Sequence, residues 1–292
     1  MTRFEGTLPA LVTPFRGGAI DETALRELVE RQIAGGVTGL VPCGTTGESV
    51  TLSESEHARV VRVVVEQTKG RVPVVAGAGT VSTAHTIHLA ELCRDAGADG
   101  LLLVCPYYNR PTQAGLEAHF RAVLKAVPLP SILYNIPGRT GVDLGVETLE
   151  RLADVQEIVG IKEATGNVLR SAQILARCGE RFTVLSGDDA LTLPVLSVGG
   201  RGVISVTANL LPKETSEVVR LWNAGKIAEA RALHLRLMPV HESMFVEANP
   251  GPIKAAMAAR DQLAPEIRLP LVWPAAESLA KVTKALSAAG LA

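Results

Sequence analysis

The chain lacks a C-x-x-C pair, an excess of charge and an apolar run of membrane length, and each absence removes a class of function. Its 29 Lys and Arg nearly cancel 30 Asp and Glu, for a formal charge of -1. No field of one sign favours nucleic acid or an anionic membrane. The four cysteines, Cys43, Cys93, Cys105 and Cys178, lie in apolar or helical segments and read as reduced core thiols. The longest stretch free of Asp, Glu, Lys and Arg, residues 72–90, is interrupted by Pro73, two glycines, two histidines and several hydroxyls. That makes a poor membrane span. The opening stretch MTRFEGTLPALVTPF puts an arginine and an acidic residue ahead of any apolar run, unlike a secretory leader. A cytoplasmic protein is expected. There are no heptads, low-complexity tracts or short repeats, and no G-x-G-x-x-G follows the first apolar run, so a dinucleotide fold loses its main signal.

What is present is alternation. Short runs rich in Val, Ile and Leu occupy residues 8–14, 39–44, 72–79, 100–106, 131–137, 158–164, 182–188 and 202–208. Between them, residues 21–35, 53–68, 83–96, 113–126, 144–152, 167–178, 190–198 and 212–224 carry helical spacing or helix-favouring composition. Ser53 with Glu56 predicts a capping box, and AGGVTG and DAGADG predict glycine stops. Eight buried strands alternating with eight helices predict a (β/α)8 TIM barrel over residues 1–224. A doubly wound open sheet is the runner-up. Residues 225–292 are helical in character, over 226–241, 251–261 and 274–289, and predict a C-terminal appendage. At 292 residues the chain has the length for one large domain plus this addition.

In such a barrel the chemistry sits where strands end at their carboxyl side. In IVGIKEATG an apolar strand ends on Lys162, and strict alternation groups Ile158, Gly160 and Lys162 on one face. If that face lines the barrel, Gly160 leaves volume below the amine, and burial favours the neutral, nucleophilic form. The alternative is a lysine that snorkels to solvent or pairs with a carboxylate such as Asp188. SILYNIP sets Tyr134 at the matching depth of the neighbouring strand, where a phenol can shuttle protons, or simply fill the core. GTTGE places two hydroxyls between glycines, either an anion cradle or an ordinary turn. Arg139 in PGRTG can grip a carboxylate or lie solvated on the surface. Tyr107 and Tyr108, between prolines, suggest a pocket wall or subunit contact. All six histidines fall in or near predicted helices. His85 and His88 have a metal-compatible spacing without a third ligand, which disfavours a zinc-dependent aldolase.

As a set, GTTGES, PYYNRP, YNIPGRTG, IVGIKEATGN, LSGDDA, GVISVTAN and MFVEANPGPIK resemble the dihydrodipicolinate synthase family, within the pyruvate-dependent class I aldolases. The resemblance covers nearly the whole chain. It implies condensation of pyruvate with L-aspartate 4-semialdehyde through a Schiff base on Lys162, with Tyr134, Thr45 and Tyr108 as proton relay. Tyr108 is expected to reach in from the neighbouring subunit of a tight dimer, within a homotetramer. Thr46, Gly187 and Ile204 match positions around pyruvate, and Arg139 matches the residue that takes the carboxylate of the second substrate. No metal or organic cofactor is implied. Related aldolases acting on sialic acid, ketodeoxygluconate or hydroxy-oxoglutarate share the mechanism, although Arg139 and Tyr108 favour the synthase. A non-catalytic barrel that binds a keto acid would have no use for Lys162, Tyr134 and Thr45 together. The resemblance also implies a second site, for lysine, lined by Val50, Glu54, His57, Val81, His85 and Tyr107. Glu54, Val81 and His85 depart from the pattern of lysine-sensitive members, so weak or absent inhibition is expected.

Overall fold

The computed structural model describes residues 4–291. The strands are β1 (Gly6–Pro9), β2 (Phe15–Arg16), β3 (Ala19–Ile20), β4 (Val75–Gly77), β5 (Gly100–Val104), β6 (Ser131–Asn135), β7 (Ile158–Glu163), β8 (Thr183–Ser186) and β9 (Gly202–Ser205). Seven of them form one parallel sheet in the order β1-β9-β8-β7-β6-β5-β4. The ring closes through the second barrel position, where Val41 bridges Ala10 and Leu40 bridges Val74. The eight-position barrel is therefore present, but the run over 39–44 contributes two bridged residues instead of a full strand. Two residues explain the shortfall. Pro42 has no N–H to donate, and Cys43 turns the chain at φ 55°.

β2 and β3 form an antiparallel hairpin that the apolar pattern does not reveal. FRGGAI supplies its turn, with Gly17 and Gly18 at φ 60° and 80°, the conformation a two-residue hairpin loop needs. The helix starts follow the sequence signals. Ser53 and Glu56 form the capping box of the helix Glu54–Thr68, while Asp21, Ser82, Thr112 and Asn167 cap their helices by accepting backbone N–H bonds. Gly36 and Gly97, both at positive φ, follow the ends of Glu22–Ala34 and Thr83–Asp95.

Two apolar clusters hold the layers together. Inside the barrel lie Phe4, Leu8, Val41, Val75, Leu102 and their neighbours, with Tyr134, Leu185 and Ile204. A larger cluster fills the space between strands and helices. Each fully buried Leu, Ile or Val contributes about 1.5–3 kcal/mol of transfer free energy.

The phase of β7 differs from strict alternation. Ser131 pairs with Ile158 but Ile132 with Gly160, a register shift that inserts one residue. Val159 then turns into the barrel, while Ile158 and Ile161 pack outward against the helices. Nor does Gly160 leave open volume. A Cβ there would lie 2.7 Å from the Thr183 carbonyl oxygen, so the glycine is needed for the close approach of β8.

Past the barrel, Ile227–Ser243 packs on Pro212–Asn223 and on the turn at Asp189–Leu191, and Gly251–Ala258 packs on Ala276–Ala288. Among the described residues no helix is long and apolar enough to cross a membrane.

Candidate active site

β6 and β7 run side by side, and their register sets Lys162 opposite Tyr134. The Lys162 ammonium nitrogen lies 4.1 Å from the centre of the Tyr134 ring. Only 5% of the lysine is exposed. Burial pushes its amine down to about 7, the negative charge of Asp189 opposes that fall, and the Arg139 guanidinium adds to it. The carboxylate that acts on the amine is thus Asp189 and not Asp188. Asp188 is spent on capping its own turn, accepting from the Ala190 N–H at 2.9 Å. Asp189 turns inward and accepts from the Ser205 hydroxyl at 2.5 Å and from the N–H groups of Val206 at 2.8 Å and Thr207 at 3.0 Å.

The Tyr134 phenol is pushed up to about 12 by burial, against the lowering influence of Arg139 and of a hydrogen bond with the Thr45 side chain. A phenol so placed keeps its proton at neutral pH and can donate it. A cavity of about 210 Å³ opens in front of it, lined by Thr45, Val104, Tyr107, Tyr134, Ile136 and Arg139 among others. Lys162 does not itself line this cavity, but its amine stands over the ring of Tyr134, which does.

The remaining sequence candidates fall into three groups. Thr46 is buried, its hydroxyl accepting from the Asn249 amide nitrogen at 2.9 Å, and Arg139 donates to the Asn249 carbonyl at 3.4 Å. Gly187 backs the lysine. A Cβ there would stand 2.5 Å from Ala164 Cβ and 3.1 Å from Lys162 Cε, so any side chain would displace the amine's stem. Ile204 is buried in the same interior cluster as Tyr134. Tyr108 is not brought to these residues. It stands 91% exposed at φ 69°, outside the cavity.

Val50, Glu54, His57, Val81, His85 and Tyr107 all line a neighbouring cavity of about 150 Å³, which shares Tyr107, Val50 and Cys43 with the first. Glu54 there meets His85 at 3.3 Å and His88 at 3.1 Å. The ring of His57 hydrogen-bonds the Gly77 carbonyl at 2.8 Å, and burial pushes its pKa down. Among the described residues no group of three or more His, Cys, Asp or Glu could hold a metal ion, and all four cysteines are free.

Sequence reasoning missed Asp189, Asn249 and the residues that fasten the GTTGE loop. Glu48, at φ 55°, forms a fully buried ion pair with Lys254 at 2.6 Å. The signal was there to be read. GPIKAAMA carries a single charge in an otherwise apolar helix, the same anomaly that marks Lys162.

The family model described as the dihydrodipicolinate synthetase family matches residues 3–289. A 4-hydroxy-tetrahydrodipicolinate synthase from Geobacter sp. (strain M21) is 55% identical over 280 residues, 96% of this chain and 97% of that protein. The structure of the 4-hydroxy-tetrahydrodipicolinate synthase from Methylacidiphilum fumariolicum SolV superposes with a TM-score of 0.97 at 47% identity, covering 99% of this chain and 96% of that one. A chloride-inhibited dihydrodipicolinate synthase from Acinetobacter baumannii, complexed with pyruvate, gives a TM-score of 0.96 at 42% identity, covering 99% of both chains.

Proposed function

The chain belongs to the dihydrodipicolinate synthetase family, and from that premise we propose that Lys162 is the amine that carries its reaction. The reaction is the condensation of pyruvate with L-aspartate 4-semialdehyde to 4-hydroxy-tetrahydrodipicolinate, a lyase step of lysine and diaminopimelate biosynthesis. Neutral Lys162 adds to the pyruvate ketone, and a proton from Tyr134 lets water leave, giving an imine whose methyl protons are acidified. Loss of one gives an enamine. Its carbon attacks the aldehyde, the amino group of the second substrate displaces Lys162 at the imine carbon, and the ring closes. Thr45 links Tyr134 to the relay, with Tyr108 contributed by a neighbouring copy.

Three of the loop amides, those of Gly47, Glu48 and Ser49, already bond the carbonyls of Gly44 and Thr45, so holding the pyruvate carboxylate falls to Thr45 and Thr46. Gly187 and Ile204 bound the space beside it. Arg139, exposed at the cavity mouth, takes the carboxylate of the aldehyde substrate. One observation supports the assignment above the rest. A buried amine brought down to about 7 sits 4.1 Å over a phenol. We read the protein as a cytoplasmic homotetramer, a dimer of dimers, with two domains at 1–224 and 225–292.

The test is borohydride reduction with pyruvate, followed by peptide mass mapping and a coupled assay with each candidate aldehyde. An adduct on Lys162 and turnover of aspartate semialdehyde are expected. An adduct on another lysine, or none, overturns the assignment. We also propose that lysine inhibits weakly or not at all. His85 and His88 occupy the Glu54 carboxylate, and Val81 offers no side-chain polar group to a ligand. A millimolar inhibition curve that falls steeply refutes it.

A further inference from the structure

We infer that Lys254 and Glu48 are positioning residues for the proton relay, acting as a brace that fixes the GTTGE loop from the far end of the chain. The inference rests on the assignment of Lys162, Tyr134 and Thr45 above. The carboxylate of Glu48 accepts from the Lys254 ammonium at 2.6 Å through one oxygen and from the Arg268 backbone N–H at 2.9 Å through the other. Side-chain exposure is 0% for Lys254 and 1% for Glu48. Neither charge meets water. Both the ammonium and the Arg268 guanidinium also lie over the Phe15 ring, at 4.5 and 4.2 Å, and Arg268 reaches Glu56, the capping residue of the helix that follows the loop.

Such a pair is expensive to desolvate, and a hydrophobic replacement of similar volume often serves stability as well or better. Its cost therefore asks for another role. The location supplies one, because Glu48 is three residues from Thr45, two from Thr46, and holds the left-handed backbone that ends the loop. Asn249 ties Thr46 from the same C-terminal segment and accepts from Arg139, so relay, carboxylate cradle and guanidinium share one support. If the brace lets go, the Thr45 hydroxyl loses its fixed place against Tyr134 and proton transfer slows, while Lys162, on β7, stays where it is.

The experiment is a double-mutant cycle on kcat at saturating pyruvate and aldehyde. It compares the unaltered protein, Thr45→Val, the neutral pair Glu48→Gln with Lys254→Met, and all three changes together, with melting temperature and borohydride trapping of pyruvate followed in parallel. The neutral pair should lower kcat at least tenfold while trapping at Lys162 persists. Added to Thr45→Val, it should cost less than a further twofold, because both changes remove one function. Unchanged kcat in the neutral pair, or losses that multiply, overturns the brace. Should the neutral pair fail to fold, Glu48→Gln alone, which removes the charge of the pair but keeps an oxygen to accept from the Arg268 N–H, enters the same cycle with the same two outcomes. Trapping by the unaltered protein separates the two levels. No adduct at Lys162 there fails the functional reading itself, whereas an adduct with multiplying losses fails only the brace.

Discussion

Lys162 is held in a state that folding resists. Its amine titrates near 10.5 when the chain is unfolded and at about 7 in the barrel. Between those values the unfolded chain binds the extra proton, so stability rises with pH through that window, and below it the full penalty of burying an ammonium applies. Lys162→Met should therefore abolish pyruvate trapping yet raise the melting temperature. The gain is largest at and below pH 7, and calorimetry at pH 6 and pH 9 measures it. Arg139 lowers the same amine, so removing the guanidinium must let it rise. For Arg139→Met, the acid limb of pyruvate trapping moves to higher pH and the KM for the aldehyde increases, while an unmoved limb would place the guanidinium outside the site. Tyr134→Phe keeps the ring over Lys162 but loses the proton. Turnover falls by about 100- to 10,000-fold with an adduct still detectable by mass mapping.

At the scale of elements, two glycines that look alike in the sequence act differently. Gly160→Ala presses on the Thr183 carbonyl of the next strand, backbone against backbone, and should cost about 1–3 kcal/mol of stability. Gly187→Ala presses on Lys162 Cε and the Ala164 Cβ, so it should lower pyruvate trapping more than it lowers the melting temperature. Denaturant unfolding and trapping on the two variants read out this difference. Much of the element pattern was legible in sequence. The Ser53 box, the strand exits and the pairing of Tyr134 with Lys162 follow from local signals, since caps and apolar runs depend on neighbours in the chain. The inserted Val159 was not legible, because a shift in the register of β7 against β6 is visible only once the strands are paired. The choice of Asp189 over Asp188 is of the same kind. Adjacent carboxylates carry one local signature, and the Ser205, Val206 and Thr207 donors that orient one of them come from the end of the next strand and the turn that follows it.

Across the whole molecule, the site draws on both ends of the chain. Glu48 and Lys254 are 206 residues apart, and their pairing joins the GTTGE loop to the helix Gly251–Ala258. No local pattern predicts such a pairing, although each buried charge announces that it has a partner. One sequence candidate, Tyr108, stands in solvent, 91% exposed and outside the cavity that Tyr134 lines. If a second copy covers it, sedimentation should show a species at least twice the mass of the 30.7 kDa chain. Tyr108→Ala should then lose turnover without losing Lys162 trapping. A fully active monomer at working concentration would contradict that reading.

The ring of strands is fastened at Leu40 and Val41 by one bridge on either side. Backbone hydrogen bonds continue the ladder on both sides, with the Leu40 N–H donating to the Pro73 carbonyl and the Val41 N–H to the Pro9 carbonyl, each at 2.9 Å, so both buried amides should resist exchange with deuterated water as those of β6 and β7 do. Thr45 and Thr46 follow this stave by only a few residues, so the loop they occupy is moored to the barrel at one end and to Lys254 and Asn249 at the other.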